Sequence, residues 1–414
     1  MFIHFGLYSA AARHEWVKNR EELTTAEYQR YFDHFDPDLA DPADWAAQAK
    51  AAGMRYVVLT TKHHDGFCLW DASNTDYKIT NTPYGKDLVR AYAEAAREAG
   101  LRVGFYHSLI DWHHPDFTVD GYHPQRGDSA AREANAGRDF GRYVDYLHAQ
   151  VRELLTDYGR IDYLFYDFSY PGHPEGGKGR ADWRSEELLA LTRQLQPGIV
   201  VNDRLDIPAD IVTPEQYQPV SPMLRDGEEV PWEACQTTNG SWGYDRDNHD
   251  HKSPDLIVRM LANSVSNGGN MLLNVGPNGR GEFDPTDRHI LREVGDWMRL
   301  HERAIIGAGP SAYVAPADCH YTQAGNRLYV HVFAWPMGHL HLPDLAGKVS
   351  YAQLLHDGSE INRVVHEAGT EGLTTQPGGQ PAGTLTLELP MRAPSVALPV
   401  IELFLTDQRN EVQP

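Results

Sequence analysis

The feature that most constrains this chain is a repeated alternation: short, β-rich apolar runs followed by helical patterns, from the first residues to about residue 305. Strands are expected at Phe2–Phe5, Tyr56–Thr60, Val103–His107, Tyr163–Tyr166, Ile199–Val201 and Met271–Val275. Helices are expected at Pro42–Ala52, Lys86–Ala99, Ala136–Tyr158 and Trp183–Gln194, with a closing helix over Pro285–Leu300. This is the sequence habit of parallel strands joined by crossover helices. Helical signal is weak between Pro208 and Cys235, so strands six and seven should be joined irregularly.

Several strands end in polar groups: His4, then Lys62-His63-His64-Asp65, then Tyr106-His107, then Asp167, then Asn202-Asp203-Arg204. In a (β/α)8 barrel the functional groups come from C-terminal strand ends, which share one mouth. A doubly wound open sheet would use fewer strand ends and usually a Gly-rich phosphate loop, which is absent. After about Ala308 the helices stop, and strands are expected at Leu328–Phe333, Val349–Leu355, Thr384–Leu389 and Val400–Leu405. The expected fold is therefore α/β: a TIM-like (β/α)8 barrel over residues 1–307 and a C-terminal antiparallel β-sandwich over 308–414.

Composition narrows the partners. The 414 residues carry 37 basic against 58 acidic side chains, a net charge of −21, with no basic block to neutralise a phosphate backbone, so nucleic acid is a poor partner. No apolar run is long enough to span a bilayer and no secretory leader is readable. Either the chain is cytoplasmic or its start lies downstream of further residues. Cys68, Cys235 and Cys319 are odd in number and widely spaced, which suits buried thiols in a reducing compartment.

Asp167, at the end of the apolar run Tyr163–Tyr166, is the first candidate for chemistry. An unpaired carboxylate buried there would cost several kcal/mol, so it caps the following turn or faces a wet mouth. The neighbouring polar strand ends favour the mouth. Hydrolysis of a glycosidic bond needs two flanking carboxyl groups, and the candidates for the second are Glu215, Glu233 and Glu15. A metal is disfavoured: in KHHDGF and DWHHPD the adjacent imidazoles of an extended chain would point to opposite sides. His339-Leu-His341 has the right spacing but reads as a solvated strand face, and the acidic loop Tyr244–His251 lacks the EF-hand ligand order. Trp16, Trp70, Trp112, Trp232 and Trp242 could stack on sugar rings, although core packing is expected for about half of them. The turn Asn274–Asn278 reads as structural.

These segments, FIHFGLYS, HEWV, LTTKHHDGFCLWDAS, TDYKITNTPYGKDLV, GFYHSLIDWHHPDF, VNDR, PWEACQTTNGSWGY and GGNMLLNVGPNGRGEF, together resemble family 29 of the glycoside hydrolases, the α-L-fucosidases. The resemblance runs to about residue 305. It implies a retaining, two-carboxylate exo-fucosidase on an irregular barrel with a C-terminal sandwich, needing no metal or cofactor. It assigns Asp167 as nucleophile and His4, Glu15, Trp16, His63, His64, Tyr106, Phe165, Arg204 and Trp242 to the sugar. For the acid/base, Glu215 in TPEQY is preferred over its rival Glu233 in PWEAC. The substrate implied is a fucosylated oligosaccharide or glycoconjugate, with neither nucleic acid nor membrane as partner and with room for a homo-oligomer. A glycosidase for α-L-galactose, a metal-dependent hydrolase and a non-catalytic sugar-binding protein are the alternatives. Three departures stand near the nucleophile: Phe165 where members usually have Trp, Phe168-Ser169 where they often have Gly, and His107 where many have a second Tyr.

Overall fold

The computed structural model describes residues 1–369, 371–372 and 378–406. In chain order the first strands are β1 (Phe2–Ile3), β2 (Tyr56–Lys62), β3 (Arg102–Ser108), β4 (Tyr163–Asp167) and β5 (Val200–Val201). There follow a small hairpin of β6 (Leu224–Arg225) and β7 (Glu228–Glu229), then β8 (Trp232–Thr237) and β9 (Gly269–Val275). Seven of them form one sheet in the order β5-β4-β3-β2-β1-β9-β8. The neighbours from β5 through β1 to β9 run parallel. All five residues of β4 and all six of β8 are buried, as strands covered on both faces must be.

The connecting helices start where an acidic or hydroxyl side chain can cap them. Asp41 caps Pro42–Ala51, Asp87 caps Leu88–Glu98, Asp139 caps Phe140–Asp157 and Ser253 caps Pro254–Ser266. Two expected helices are broken at their starts. The segment before Phe140 is a separate short helix, Ser129–Glu133, with a 3₁₀ turn. Arg184, in the left-handed region at φ 50°, divides Arg180–Trp183 from Ser185–Leu195.

In the barrel sheet itself no described strand pairs with both β5 and β8, since β6 and β7 form a hairpin of their own. The irregular segment 211–215 stands between β5 and β8 instead, held by single parallel bridges from Ile211 to Asn202 and from Glu215 to Cys235. Backbone bonds from Cys235 N to Pro214 O and from Gln216 N to Cys235 O fix its second half. With this segment the strand positions number eight, and the irregularity expected between Pro208 and Cys235 falls on the sixth.

By packing, the chain divides into two compact units. One comprises Met1–Tyr217, Cys235–Lys252 and Leu272–Arg292; the other comprises Gln218–Ala234, Ser253–Met271 and the chain from Glu293 onward. Where the sequence suggested one boundary at 307/308, the packing units interleave along the chain. The later strands are β10 (Cys319–Ala324), β11 (Arg327–Val332), β12 (His339–Leu342), β13 (Val349–Leu354), β14 (Asn362–Val364), β15 (Leu385–Glu388) and β16 (Val400–Leu405). They form antiparallel sheets β10-β11-β16-β13 and β12-β15-β14, whose inner faces share one apolar core that includes Leu328, Val330, Leu342, Leu387 and Leu403. This is the expected sandwich, with β10 and β14 in addition to the strands expected. No described helix is long and apolar enough to cross a membrane.

Candidate active site

A cavity opens at the C-terminal strand ends, lined by Phe2, His4, Trp16, His63, His64, Tyr106, Phe165, Asp167, Phe168, Arg204, Glu215, Cys235 and Trp242. Strand alternation explains the choice of residues on β3 and β4: Tyr106, Phe165 and Asp167 face the cavity, while their neighbours point away. His107 is one of those neighbours. It is fully buried, with Nδ1 3.0 Å from Thr61 Oγ1 and its ring 5.9 Å from that of Trp70, so it lies outside the cavity lining rather than in the sugar pocket.

Asp167 is held by two donors. Tyr106 OH donates to Oδ2 at 2.7 Å and Arg204 Nη1 to Oδ1 at 2.8 Å. The same Nη1 lies 2.7 Å from Glu215 Oε2. Asp167 Oδ1 and Glu215 Oε2 therefore stand no further apart than these two contacts end to end, about 5.5 Å, short of the ~6.5–9.5 Å separation of an inverting pair. Thr213 orients the guanidinium further, its Oγ1 accepting from Nε at 3.0 Å and its carbonyl from Nη2 at 3.2 Å. Burial opposes the charge of Arg204, but Asp167 and Glu215 outweigh it and hold the group firmly protonated. Glu233 does not line this cavity. It is buried, and desolvation raises its pKa to about 8.

Two imidazoles have their tautomers fixed by their partners. Asn274 donates through Nδ2 to Trp242 O at 2.7 Å, so its Oδ1 is the acceptor facing His4 Nδ1, also at 2.7 Å. Ser108 Oγ gives its one proton to Ile110 O, so it accepts from His64 Nδ1 at 2.6 Å. In both rings Nδ1 carries the proton and Nε2 is left as an acceptor, the form suited to receiving a hydroxyl. Burial lowers both pKa values from 6.5 to about 3, with Asn274 resisting at His4 and with Lys62 and Arg204 adding to the shift at His64. His63 is lowered as well, by burial and then by His64.

The expectation that His63 and His64 point apart does not hold. Strand β2 ends at Lys62 with a register irregularity after Thr60, and the turn that follows brings both rings into the cavity with centroids 4.1 Å apart. Among the described residues no group of three or more His, Cys, Asp or Glu is arranged to hold a metal ion.

The apolar wall is built from Phe2, Phe165 and Trp242. The Phe2 ring lies 5.2 Å from Phe165 and 5.9 Å from Trp242, and the Arg204 guanidinium sits 5.0 Å over Phe165. Glu15 stands behind this wall instead of lining it. Its Oε2 accepts from the backbone N–H groups of Trp242 and Gly243 at 3.0 and 2.9 Å, and desolvation raises its pKa to about 7. Trp16 completes the rim, its ring 5.1 Å from His64 and 5.3 Å from Trp112. Trp70 and Trp232 are core residues.

Four functional neighbours escaped the reading of the sequence. Phe2 and Cys235 line the cavity from strand interiors. Asn274 belongs to β9 and positions His4, rather than shaping a turn. Phe168 has φ +82°, a left-handed value that glycine takes freely and that costs a phenylalanine ~1–3 kcal/mol. Its ring is held in place by Trp16, His64, Tyr122 and Tyr170, with centroids 4.9 to 5.5 Å away. The family's frequent glycine at this position was the available signal.

Known proteins resemble this chain in sequence and in fold. The sequence description of the α-L-fucosidase family matches residues 1–303. The structure of α-L-fucosidase isoenzyme 1 from Paenibacillus thiaminolyticus superposes with a TM-score of 0.90 at 44% identity, covering 98% of this chain and 96% of that one. A Bacteroides thetaiotaomicron family 29 α-L-fucosidase, solved as a trapped covalent intermediate, gives a TM-score of 0.82 at 26% identity over 98% and 93% of the two chains. The α-L-fucosidase of Dictyostelium discoideum is 27% identical, covering 98% of this chain and 90% of that relative.

Proposed function

The chain belongs to the α-L-fucosidase family, and from that premise we propose that it is a retaining exo-α-L-fucosidase in which Asp167 is the nucleophile and Glu215 the acid/base. The observation that supports the assignment of roles is the single Arg204 nitrogen that touches both carboxylates, which keeps the two facing oxygens within about 5.5 Å, below the ~6.5–9.5 Å of an inverting pair. Glu233 is buried and is not among the residues that line the cavity with Asp167.

The chemistry follows in two displacements. Asp167 attacks the anomeric carbon while Glu215 gives a proton to the departing oxygen, and a glycosyl ester forms on Asp167. Glu215, now a carboxylate, takes a proton from water, which attacks the same carbon and releases the sugar with its configuration retained. Tyr106 and Arg204 donate to the attacking carboxylate and aim it. The neutral imidazoles of His4 and His64 accept sugar hydroxyls through Nε2, with His63 beside them. Phe165 and Trp242 receive the C5 methyl. Such an apolar wall suits the deoxy position of fucose better than the hydroxymethyl of a galactoside.

Replacing the nucleophile tests the reading. Asp167→Gly should stay folded and lose at least about 10³-fold in kcat on an aryl α-L-fucoside, with azide restoring part of it as the β-fucosyl azide. Near-normal turnover without azide would remove Asp167 from the role.

A further inference from the structure

A second, more open cleft of about 400 Å³ shares Asp167, Phe168 and Arg204 with the sugar cavity and is otherwise walled by Ser169, Asp203, Asp206 and Thr213. We propose that this cleft receives the leaving group, and that it takes a neutral or amine-bearing hydroxylated unit, a hexose or hexosamine, in preference to an anionic one. The inference rests on the glycosidase reading above, since only such an enzyme has a leaving group to seat.

Position is the first support. Glu215 must reach the glycosidic oxygen, and its neighbours on the chain and in space, Thr213 and Arg204, both line the outer cleft. A group protonated by Glu215 therefore emerges along the Arg204–Thr213 edge. Phe168 is the second support. It lines both cavities, is partly exposed, and is locked at φ +82° by the surrounding rings, so it divides the two spaces and offers apolar surface to the C–H face of a pyranose.

Charge decides the class of ligand. Asp203, half-buried, accepts from Thr213 Oγ1 at 3.3 Å, and Asp206, exposed, accepts from the Arg180 backbone N–H at 3.0 Å. Each commits one oxygen to that bond, and both carboxylates border the cleft. Among the described residues that line it the single cation is Arg204, whose nitrogens are engaged by Asp167, Glu215 and Thr213. An anionic leaving group would thus meet two carboxylates with no cation left to pair with it, while hydroxyl and ammonium donors would meet acceptors.

The test uses three sets of aryl α-L-fucosides whose phenols span the same acidity range and carry a neutral amide, a carboxylate or a quaternary ammonium group. When kcat/KM is plotted against phenol acidity at low ionic strength, the carboxylate series should fall about fivefold below the neutral line, with the ammonium series on or above it. In 1 M salt, where the screening length is ~3 Å, the gap should close. Asp203→Asn with Asp206→Asn should bring the three lines together in low salt. Asp206→Asn alone, exposed and at a φ of +60° that asparagine tolerates, should remove part of the gap and serves if the double variant does not fold. Coincident lines in the unmodified enzyme, or a gap unchanged by these substitutions, would overturn the assignment. Failure to turn over any of the three series would overturn the fucosidase reading itself.

Discussion

The chain carries two His-His pairs on successive barrel loops, and they serve opposite ends. His63 and His64 follow β2 and both line the sugar cavity. His113 and His114 follow β3 and part company: His113 lies flat on Tyr77, centroids 3.6 Å apart and 1° from parallel, while His114 packs against Tyr143 and Tyr146. The second loop is a bracket for the first. Asp111 Oδ2 takes Lys62 Nζ at 3.3 Å, its Oδ1 accepts the backbone N–H groups of His113 and His114 at 3.0 and 2.9 Å, and Trp112 N donates to His64 O at 2.8 Å. Gly66, at φ +83°, closes the joint, because a Cβ there would collide with Asp111 and His113. The same dipeptide is thus binding surface in one loop and packing in the other, and what separates the two is the backbone around Asp111.

Removing that carboxylate should have the largest effect. The side chain of Lys62 has no solvent exposure, so Asp111→Ala leaves a buried ammonium without its partner as well as two backbone donors unsatisfied. We expect a loss of ~3–5 kcal/mol in urea unfolding, with activity falling as the His63-His64 loop slackens. Adding Lys62→Met should recover much of that stability, since paired removal is tolerated where single removal is not. A cost for Asp111→Ala below about 1 kcal/mol, the worth of a surface pair, would break the bracket.

The pairs themselves come next. His64→Ala should lower kcat/KM on an aryl α-L-fucoside by about 10²-fold, equivalent to ~2.7 kcal/mol, with little change in the urea midpoint. His113→Ala should leave kcat/KM within about threefold and cost ~1 kcal/mol of stability through its lost stacking on Tyr77. If the two variants behaved alike in both assays, the division between binding and packing would collapse.

Much of this was legible in the sequence, and the failures are instructive. The polar strand ends and the family segments pointed to all ten of the expected residues that line the cavity, because strand alternation and the barrel mouth leave few other places for them. The opposite-facing expectation for His63-His64 failed because a period of two applies only while the strand lasts, and β2 stops at Lys62. Strand β8 was not expected because Glu, Gln and Thr interrupt its apolar pattern, although all six of its residues are buried. The segment 211–215 starts with the β-formers Ile211, Val212 and Thr213, but Pro214 cuts the run short, and only two single bridges tie it to its neighbours. The Phe168 side chain itself does not announce a left-handed backbone; the glycine frequent at this place in the family was the only hint, and four rings surround the phenylalanine that takes the conformation here. Glu15 was legible as important but not as the clasp of Trp242.

The remaining prediction concerns acid stability, and it discriminates the pairs by pH window. Burial lowers the pKa of His64 from 6.5 to about 3 and that of His113 from 6.5 to about 4. Below pH 6.5 the unfolded chain therefore binds protons that the folded chain refuses, so stability falls as pH falls, by about 1.4 kcal/mol per unit for each such imidazole. The loss stops where the folded group itself begins to titrate, near pH 4 for His113 and near pH 3 for His64. Glu15 and Glu233, raised to about 7 and about 8, act in the other direction, holding protons in the fold that the unfolded chain releases above its carboxylate range. Comparing each variant with the unmodified protein cancels their contribution. His64→Gln should flatten the stability–pH curve from 6.5 down to about 3, and His113→Asn only down to about 4, so between those two values His64 alone should still matter. Urea unfolding at half-unit steps would resolve the two slopes. A His64→Gln curve parallel to that of the unmodified protein would mean that its imidazole takes up a proton in the fold, and would then donate through Nε2 instead of accepting.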